Sequence, residues 1–205
     1  LARNGFKVLV IDKGAETLEL TEPQLRVSAI SKRSENILTA LGARRELDTK
    51  RLAPYQTMTV WDKDSFGKIH FDSQDVGKGQ LGHIIENNHI KNALVAAAKR
   101  QSLISLNYHN GVRAIHNDEE QVLITLEDGT PVISKLLVAA DGANSWVRQQ
   151  LNLGITFSDY DHHALVATIQ TSEPHGHCAR QVFLPEGPLA LLPLYEPNLC
   201  SIVWS

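Results

Sequence analysis

The spacing of apolar residues changes several times along the chain, and each change marks an element. Val8 to Ile11 are consecutive apolar residues closed by Asp12, the pattern of a strand covered on both faces, as in a parallel sheet flanked by helices. The preceding LARNG reads as a helix end stopped at Gly5, which makes this opening the second half of a βαβ unit. Ser34 to Gly42 fits a short helix with Ser34 as N-cap, Ile37, Leu38 and Leu41 on one face, and Gly42 as the stop. From Gln56 to Phe71 the period shortens to two around the turn-like DKDSFG, which predicts a hairpin of an antiparallel sheet. A second helix is expected from Asn87 or Asn88 to about Arg100, with Ile90, Leu94, Ala97 and Ala98 turned inward.

Short strands are then expected at Leu103–Leu106, Gly111–Ile115 and Val122–Leu126, with EDGT (Glu127–Thr130) as a turn before a further strand, Lys135–Ala139. Beyond Leu151 the pattern is strand-like again: Ala164–Ile169, Gln181–Leu184, Leu189–Leu194 and Leu199–Trp204, separated by Pro, Gly and Asn turns. The chain is therefore expected to be of mixed α/β class and to cross twice between a parallel nucleotide-binding lobe (1–51 and 85–155) and an antiparallel-sheet lobe (52–84 and 156–205).

Composition narrows the classes of function. With 205 residues, 42% of them hydrophobic and 21% charged, the chain can bury a core and reads as globular. Net charge is -3 and the basic residues are scattered, so nucleic acid is not an expected partner. Cys178 and Cys200 are far apart and outside any metal-ligand spacing, which supports neither a disulfide framework nor a zinc site. No apolar run reaches the roughly 20 residues of a membrane span, and a cytoplasmic location is the default expectation. The sequence opens at Leu1 and stops within the strand-like CSIVWS, so an internal piece of a longer protein is expected.

Two places carry candidate chemistry. Asp12 ends a buried strand, where a dinucleotide-binding unit places the carboxylate that accepts from ribose hydroxyls; by itself it reads equally as a strand-terminal acid facing water. The stronger signal is LLVAADGANSWVR, Leu136 to Arg148. An apolar strand runs into Asp141 and Gly142, and a helix begins near Asn144 or Ser145. A carboxylate, backbone N–H groups and a glycine that permits close approach of a ligand thus meet at one point. Other features have plainer readings. Asp161, His162 and His163 superficially resemble a metal phosphoesterase signature, but such enzymes need further Asp-rich motifs to build two metal sites. Arg180 reads equally as a substrate contact or a solvated edge arginine, Trp146 packs the helix after the Asp-Gly turn, and the LLPL run reads first as core.

DGANSWVR resembles the second flavin motif of the aromatic-ring hydroxylases similar to para-hydroxybenzoate hydroxylase. The blocks PQLRVSAISKRSENILTALGA, VWDKDSFG, DYDHHALVATI and ARQVF…GPLALLPL…LCSIVWS are most similar to the ubiquinone-biosynthesis branch, near 2-octaprenylphenol hydroxylase. The resemblance covers nearly the whole chain. It implies a partial Rossmann-like FAD-binding lobe interleaved with an antiparallel substrate lobe. It also implies FAD contacts from Asp12, Arg26, Asn87, Asp141 and Gly142, with Arg148 steadying the motif, and a substrate pocket lined by Leu191, Leu192 and Pro193. The implied reaction uses NAD(P)H to reduce FAD and O2 to hydroxylate a prenylated phenol, the hard chemistry belonging to the cofactor. So apolar a substrate implies work at the face of the inner membrane and partners among proteins of ubiquinone biosynthesis. The family's Gly-rich N-terminal turn and its C-terminal Gly-Asp block are not in the sequence, so this stretch alone is expected to be inactive. Another FAD oxidoreductase of the same fold, or a non-catalytic fragment, is the alternative.

Overall fold

The computed structural model describes residues 1–159 and 161–205; Tyr160, within the DYDHHALVATI block, lies outside the described residues. The chain forms two compact units, Leu1–Glu16 with Gln101–Tyr160 and Thr17–Arg100 with Asp161–Ser205. These bounds differ from the lobe limits expected at 51, 85 and 155, because both long helices bury their apolar faces on a sheet of the second unit.

In the first unit, Gly5 at φ 85 ends a 3-10 turn and releases β1 (Val8–Asp12), which pairs in parallel with β7 (Ile104–Tyr108). Beside this pair, β8 (Val112–Asn117), β9 (Val122–Leu126) and β10 (Pro131–Ser134) form an antiparallel meander. Val122, Ile124 and Leu126 of β9 make its core, and Ile11 of β1 and Leu137 pack against them. Contrary to the expected strand covered on both faces, Leu9 and Val10 are exposed; they point to opposite faces of β1, whose one strand neighbour among the described residues is β7. The expected strand at 135–139 forms no ladder: β10 takes Pro131–Ser134 instead, and the following apolar run carries exposed Leu136 and Val138. The chain then reaches the short helix α3 (Trp146–Gln150).

The second unit holds two sheets. β2 (Val27–Ser31), β6 (Gly82–Glu86) and β3 (Ala53–Tyr55) form one, in the order β2-β6-β3. The other has six strands in the order β11-β14-β13-β12-β4-β5. Its members are β4 (Thr57–Asp62), β5 (Lys68–Asp72), β11 (Leu165–Gln170), β12 (Cys178–Leu184), β13 (Gly187–Pro193) and β14 (Leu199–Trp204). The expected hairpin is β4–β5. Every pair in this sheet is antiparallel except β4 with β12, which run parallel from Thr57↔Cys178 to Asp62↔Phe183.

Period-two alternation makes β6 the centre of this unit. Ile84 points to a cluster with Ala53 and Leu194, joined by Leu192 and Leu199 of the large sheet. Ile85 points the other way, to a cluster with Leu38, Leu47, Ala93 and Ala97, supplied by α1 (Lys32–Leu41) and α2 (Asn87–Lys99). Gly82 is required at the start of β6, since a Cβ there would overlap the carbonyl of Ile30 on β2. Helix α1 starts two residues before the expected Ser34, with Ser31 as N-cap. It buries Glu35 and Leu38 while Ile37 and Leu41 stay exposed, because Glu35 is drawn inward by hydrogen bonds from His83 and Lys32. In α2 the inward row is His89, Ala93 and Ala97 rather than the row through Leu94, which is exposed. The hydrogen bond from Asp48 N to His89 Nε2 (2.8 Å) fixes that rotation.

Candidate functional site

In the first unit the DGxxSxVR spacing builds a turn whose members hold one another. Gly142 has φ 89, a left-handed conformation that side chains other than glycine resist. It turns the chain so that the Asp141 carboxylate meets the start of α3. Ser145 Oγ donates to Asp141 Oδ1 (2.5 Å) and Val147 N donates to Oδ2 (3.1 Å). Ser145 is the N-cap of α3, its hydroxyl accepting from Arg148 N (3.1 Å), and Arg148 Nη1 closes the loop on the carbonyl of Ala143 (2.8 Å). The bond from Ser145 holds the Asp141 carboxyl below the usual carboxylate range despite some desolvation, with Val147 N helping. Asp141, Gly142 and Ala143 remain exposed while Ser145 and Val147 are buried. A rigid acidic rim thus stands on a buried footing. Asp12, at the end of β1, accepts from Gly14 N (2.8 Å), and its neighbour Lys13 pairs with Glu127. Ile11 and Leu137 sit in one core, so the segments that lead to Asp12 and to Asp141 are anchored together.

In the second unit, Arg26 and Asn87 meet at the N-terminal end of α2. Asn87 N donates to the Arg26 carbonyl (3.0 Å), and Ser28 Oγ donates to Asn87 Oδ1 (2.7 Å). Both residues are exposed, and the Arg26 guanidinium has no hydrogen-bond or ion-pair partner among the described residues. Beneath them is a cluster that pattern reading missed. Glu86, 1% exposed, takes a two-pronged contact from Arg51, Nε to Oε2 and Nη2 to Oε1, both at 2.7 Å. Gln24 N also donates to Glu86 Oε1 (2.8 Å), and the Arg51 guanidinium lies 4.8 Å over the Tyr195 ring. A carboxylate closing the buried run GHIIE was the signal available for Glu86 in the sequence; nothing local marks Arg51, 35 residues away.

Three further residues expected to line a pocket, Leu191, Leu192 and Pro193, do not share one environment. Leu191 sits across from Arg180 on β12. On that face an open cleft of about 480 Å³ is bounded by Trp61, Cys178, Arg180 and the β4–β5 turn. Leu192 points to the opposite side, into the cluster with Ala53 and Ile84, and Pro193 is fully buried. Arg180 spends Nη1 on the carbonyls of His175 (3.0 Å) and Cys178 (3.2 Å). Cys200 is buried, and burial pushes its thiol up.

Comparison with known proteins decides the family: residues 1–190 match the FAD binding domain family. The chain belongs to this family. It is 31% identical to 3-demethoxyubiquinol 3-hydroxylase of Escherichia coli, over 100% of this chain and 52% of that protein. It is 37% identical to the rat ubiquinone biosynthesis monooxygenase COQ6, over 97% of this chain and 44% of that one. Thus the chain spans about half the length of the relatives it matches. Among solved structures, Pseudomonas aeruginosa PqsL superposes with TM-score 0.76 at 18% identity, covering 98% of this chain and 55% of that one. The p-nitrophenol 4-monooxygenase PnpA of Pseudomonas putida gives 0.69 at 16%, covering 99% and 52%. These two likenesses establish the fold, the mixed arrangement of parallel and antiparallel sheets expected from the sequence.

Proposed function

We propose that the full-length protein is an FAD-dependent monooxygenase that hydroxylates the ring of a prenylated phenol in ubiquinone biosynthesis, with NAD(P)H as reductant and O2 as oxygen source. The observation that carries this reading is the self-braced turn Asp141–Arg148, in a chain whose relatives are named as ubiquinone-pathway hydroxylases. The turn suits one part of the cofactor: an exposed carboxylate for ribose hydroxyls, and beside it a glycine with open space around its Cα for close approach of a pyrophosphate.

In this reading Asp12 and Asp141 accept from ribose hydroxyls, Gly142 lets the backbone approach the phosphates, and Arg148 keeps the turn shut. Arg26 and Asn87 are the residues proposed to present donors to the flavin. By role rather than by compact unit, the proposed cofactor-binding segments are 1–51 with 85–155 and the proposed substrate-binding segments 52–84 with 156–205. Of the Leu191–Pro193 strip, Leu191 is the residue that faces substrate. When bound, FAD supplies the electron transfer and oxygen chemistry; the chain's share is to bind, orient and exclude water. The substrate's tail puts the protein in the cytoplasm, against the inner-membrane face and beside other proteins of the pathway. No helix among the described residues is long and apolar enough to cross a membrane.

The test is to purify the full gene product, record its flavin spectrum, and supply a prenylphenol with NADH or NADPH in air. The expected result is bound flavin, substrate-stimulated oxidation of one nicotinamide, and a product one oxygen atom heavier. Bound flavin with no oxygenated product would overturn the monooxygenase assignment.

A further inference from the structure

Residues 22–26 belong to no helix or strand, so their polar groups must find partners outside a regular ladder. They find them at the start of α2. Gln24 N donates to Glu86 Oε1 (2.8 Å) and Asn88 Nδ2 donates to Gln24 Oε1 (2.7 Å). Arg51 Nη2 donates to the Glu22 carbonyl (3.1 Å), and Asn87 N donates to the Arg26 carbonyl (3.0 Å). The segment is a strap tied down at both ends, and the pair Glu86–Arg51 is the knot. Replacing a buried carboxylate–guanidinium pair by apolar residues of like volume commonly leaves stability unchanged or raised. What such a pair supplies is direction, because the guanidinium fork and the carboxylate fix each other's orientation. Here the pair fixes the main chain that delivers Arg26, whose side chain is exposed and has no hydrogen-bond or ion-pair partner among the described residues.

We propose that Glu86 and Arg51 are positioning residues for Arg26, setting where its guanidinium is presented to the flavin and so acting on cofactor affinity through it. This rests on the reading of Arg26 as a flavin contact made above. It adds a support layer of the kind that holds a binding side chain within a fraction of an ångström of its productive place.

The experiment is a double-mutant cycle in the full gene product, with apoprotein titrated by FAD and followed through flavin fluorescence and the visible spectrum. Arg26→Ala is expected to weaken FAD about tenfold, the low end for one charged hydrogen bond, and Glu86→Gln about fivefold, the smaller loss expected of a residue that acts through another. Arg51→Lys, which keeps the charge and loses the fork, should fall between Glu86→Gln and wild type. The Arg26→Ala/Glu86→Gln double variant should bind no more weakly than Arg26→Ala alone, since a residue that acts only through Arg26 has nothing left to act on. Additive losses, or unchanged affinity in Glu86→Gln, would overturn the proposal. Unchanged affinity in Arg26→Ala would instead overturn Arg26 as a flavin contact, and the proposal with it. If Glu86→Gln does not fold, Asn88→Ala removes a single tether of the strap and carries the same cycle. Its expected loss is about threefold, again absent in the Arg26→Ala background.

Discussion

Replacing Asp141 by Ala removes the acceptor of two hydrogen bonds, from Ser145 Oγ at 2.5 Å and Val147 N at 3.1 Å. Both donors lie at the buried foot of the turn while the carboxylate itself is exposed, so the stability cost stays near the neutral scale, about 1–2 kcal/mol for the two bonds together. If Asp141 also accepts from the cofactor ribose, FAD affinity falls by a further charged bond of about 1.5–3 kcal/mol, roughly 10- to 150-fold. Ser145→Ala separates these roles. It removes the α3 cap, at about 1 kcal/mol, and one brace on the carboxylate, yet keeps the carboxylate. Titrating apoprotein with FAD and measuring thermal unfolding on both variants of the full gene product gives the comparison. The expected result is similar destabilisation in the two, with a much larger loss of FAD affinity in Asp141→Ala. Equal FAD constants in the two variants would show that Asp141 is a turn residue only, and that the ribose lies elsewhere.

Other perturbations have equally definite outcomes. Ile85→Ala, at a side chain 1% exposed between α1 and α2, should destabilise the protein by about 2–5 kcal/mol in denaturant titration; a change under 1 kcal/mol would mean the site collapses around the void. Burial lowers the pKa of His89 and of His175. Each therefore binds a proton less readily folded than unfolded, so stability is full above the unfolded histidine range near pH 6.5 and is lost as pH falls below it. Melting curves from pH 7.5 down to 5.5 should show a falling Tm that flattens in His89→Gln/His175→Gln, and an unchanged slope in that variant would refute the assignment. Residues 1–205 expressed alone should retain no flavin after gel filtration and should associate with rising concentration, through the open edge of β1 and its exposed Leu9 and Val10. A monomeric yellow fragment would contradict this.

Local chemistry was the legible part of the sequence. The hairpin at β4–β5, the four strands after Leu151 and the turn at Gly142 all follow from period and turn residues, which act over a few positions. Helix faces were read less well. Apolar content put Ile37, Leu41 and Leu94 inward, whereas Glu35 and His89 took those faces because each had a hydrogen-bond partner remote in sequence, His83 and Asp48. The strand expected at 135–139 failed for a related reason. An apolar run becomes a strand only when another edge accepts its N–H and C=O groups, and none among the described residues does. The site divided along the same line. Asp141 and Arg148 lie within one turn of each other and could be read, while the Arg51–Glu86 pair joins residues that only the tertiary fold brings together.

The parallel pairing of β4 with β12 also bears on how the protein is made. Thr57 and Cys178 are register partners, a separation on the order of a hundred residues, and closing so long a loop is slow compared with forming a hairpin. As the chain leaves the ribosome, the β4–β5 hairpin can form at once, but its β4 edge stays open until β12 has been synthesised several seconds later. During that interval the strand carrying Met58, Val60 and Trp61 is a sticky, unprotected template. A chaperone that binds nascent chains should therefore dwell on this stretch, and mutations that delay β12 should lower yield far more than they lower the stability of protein already folded.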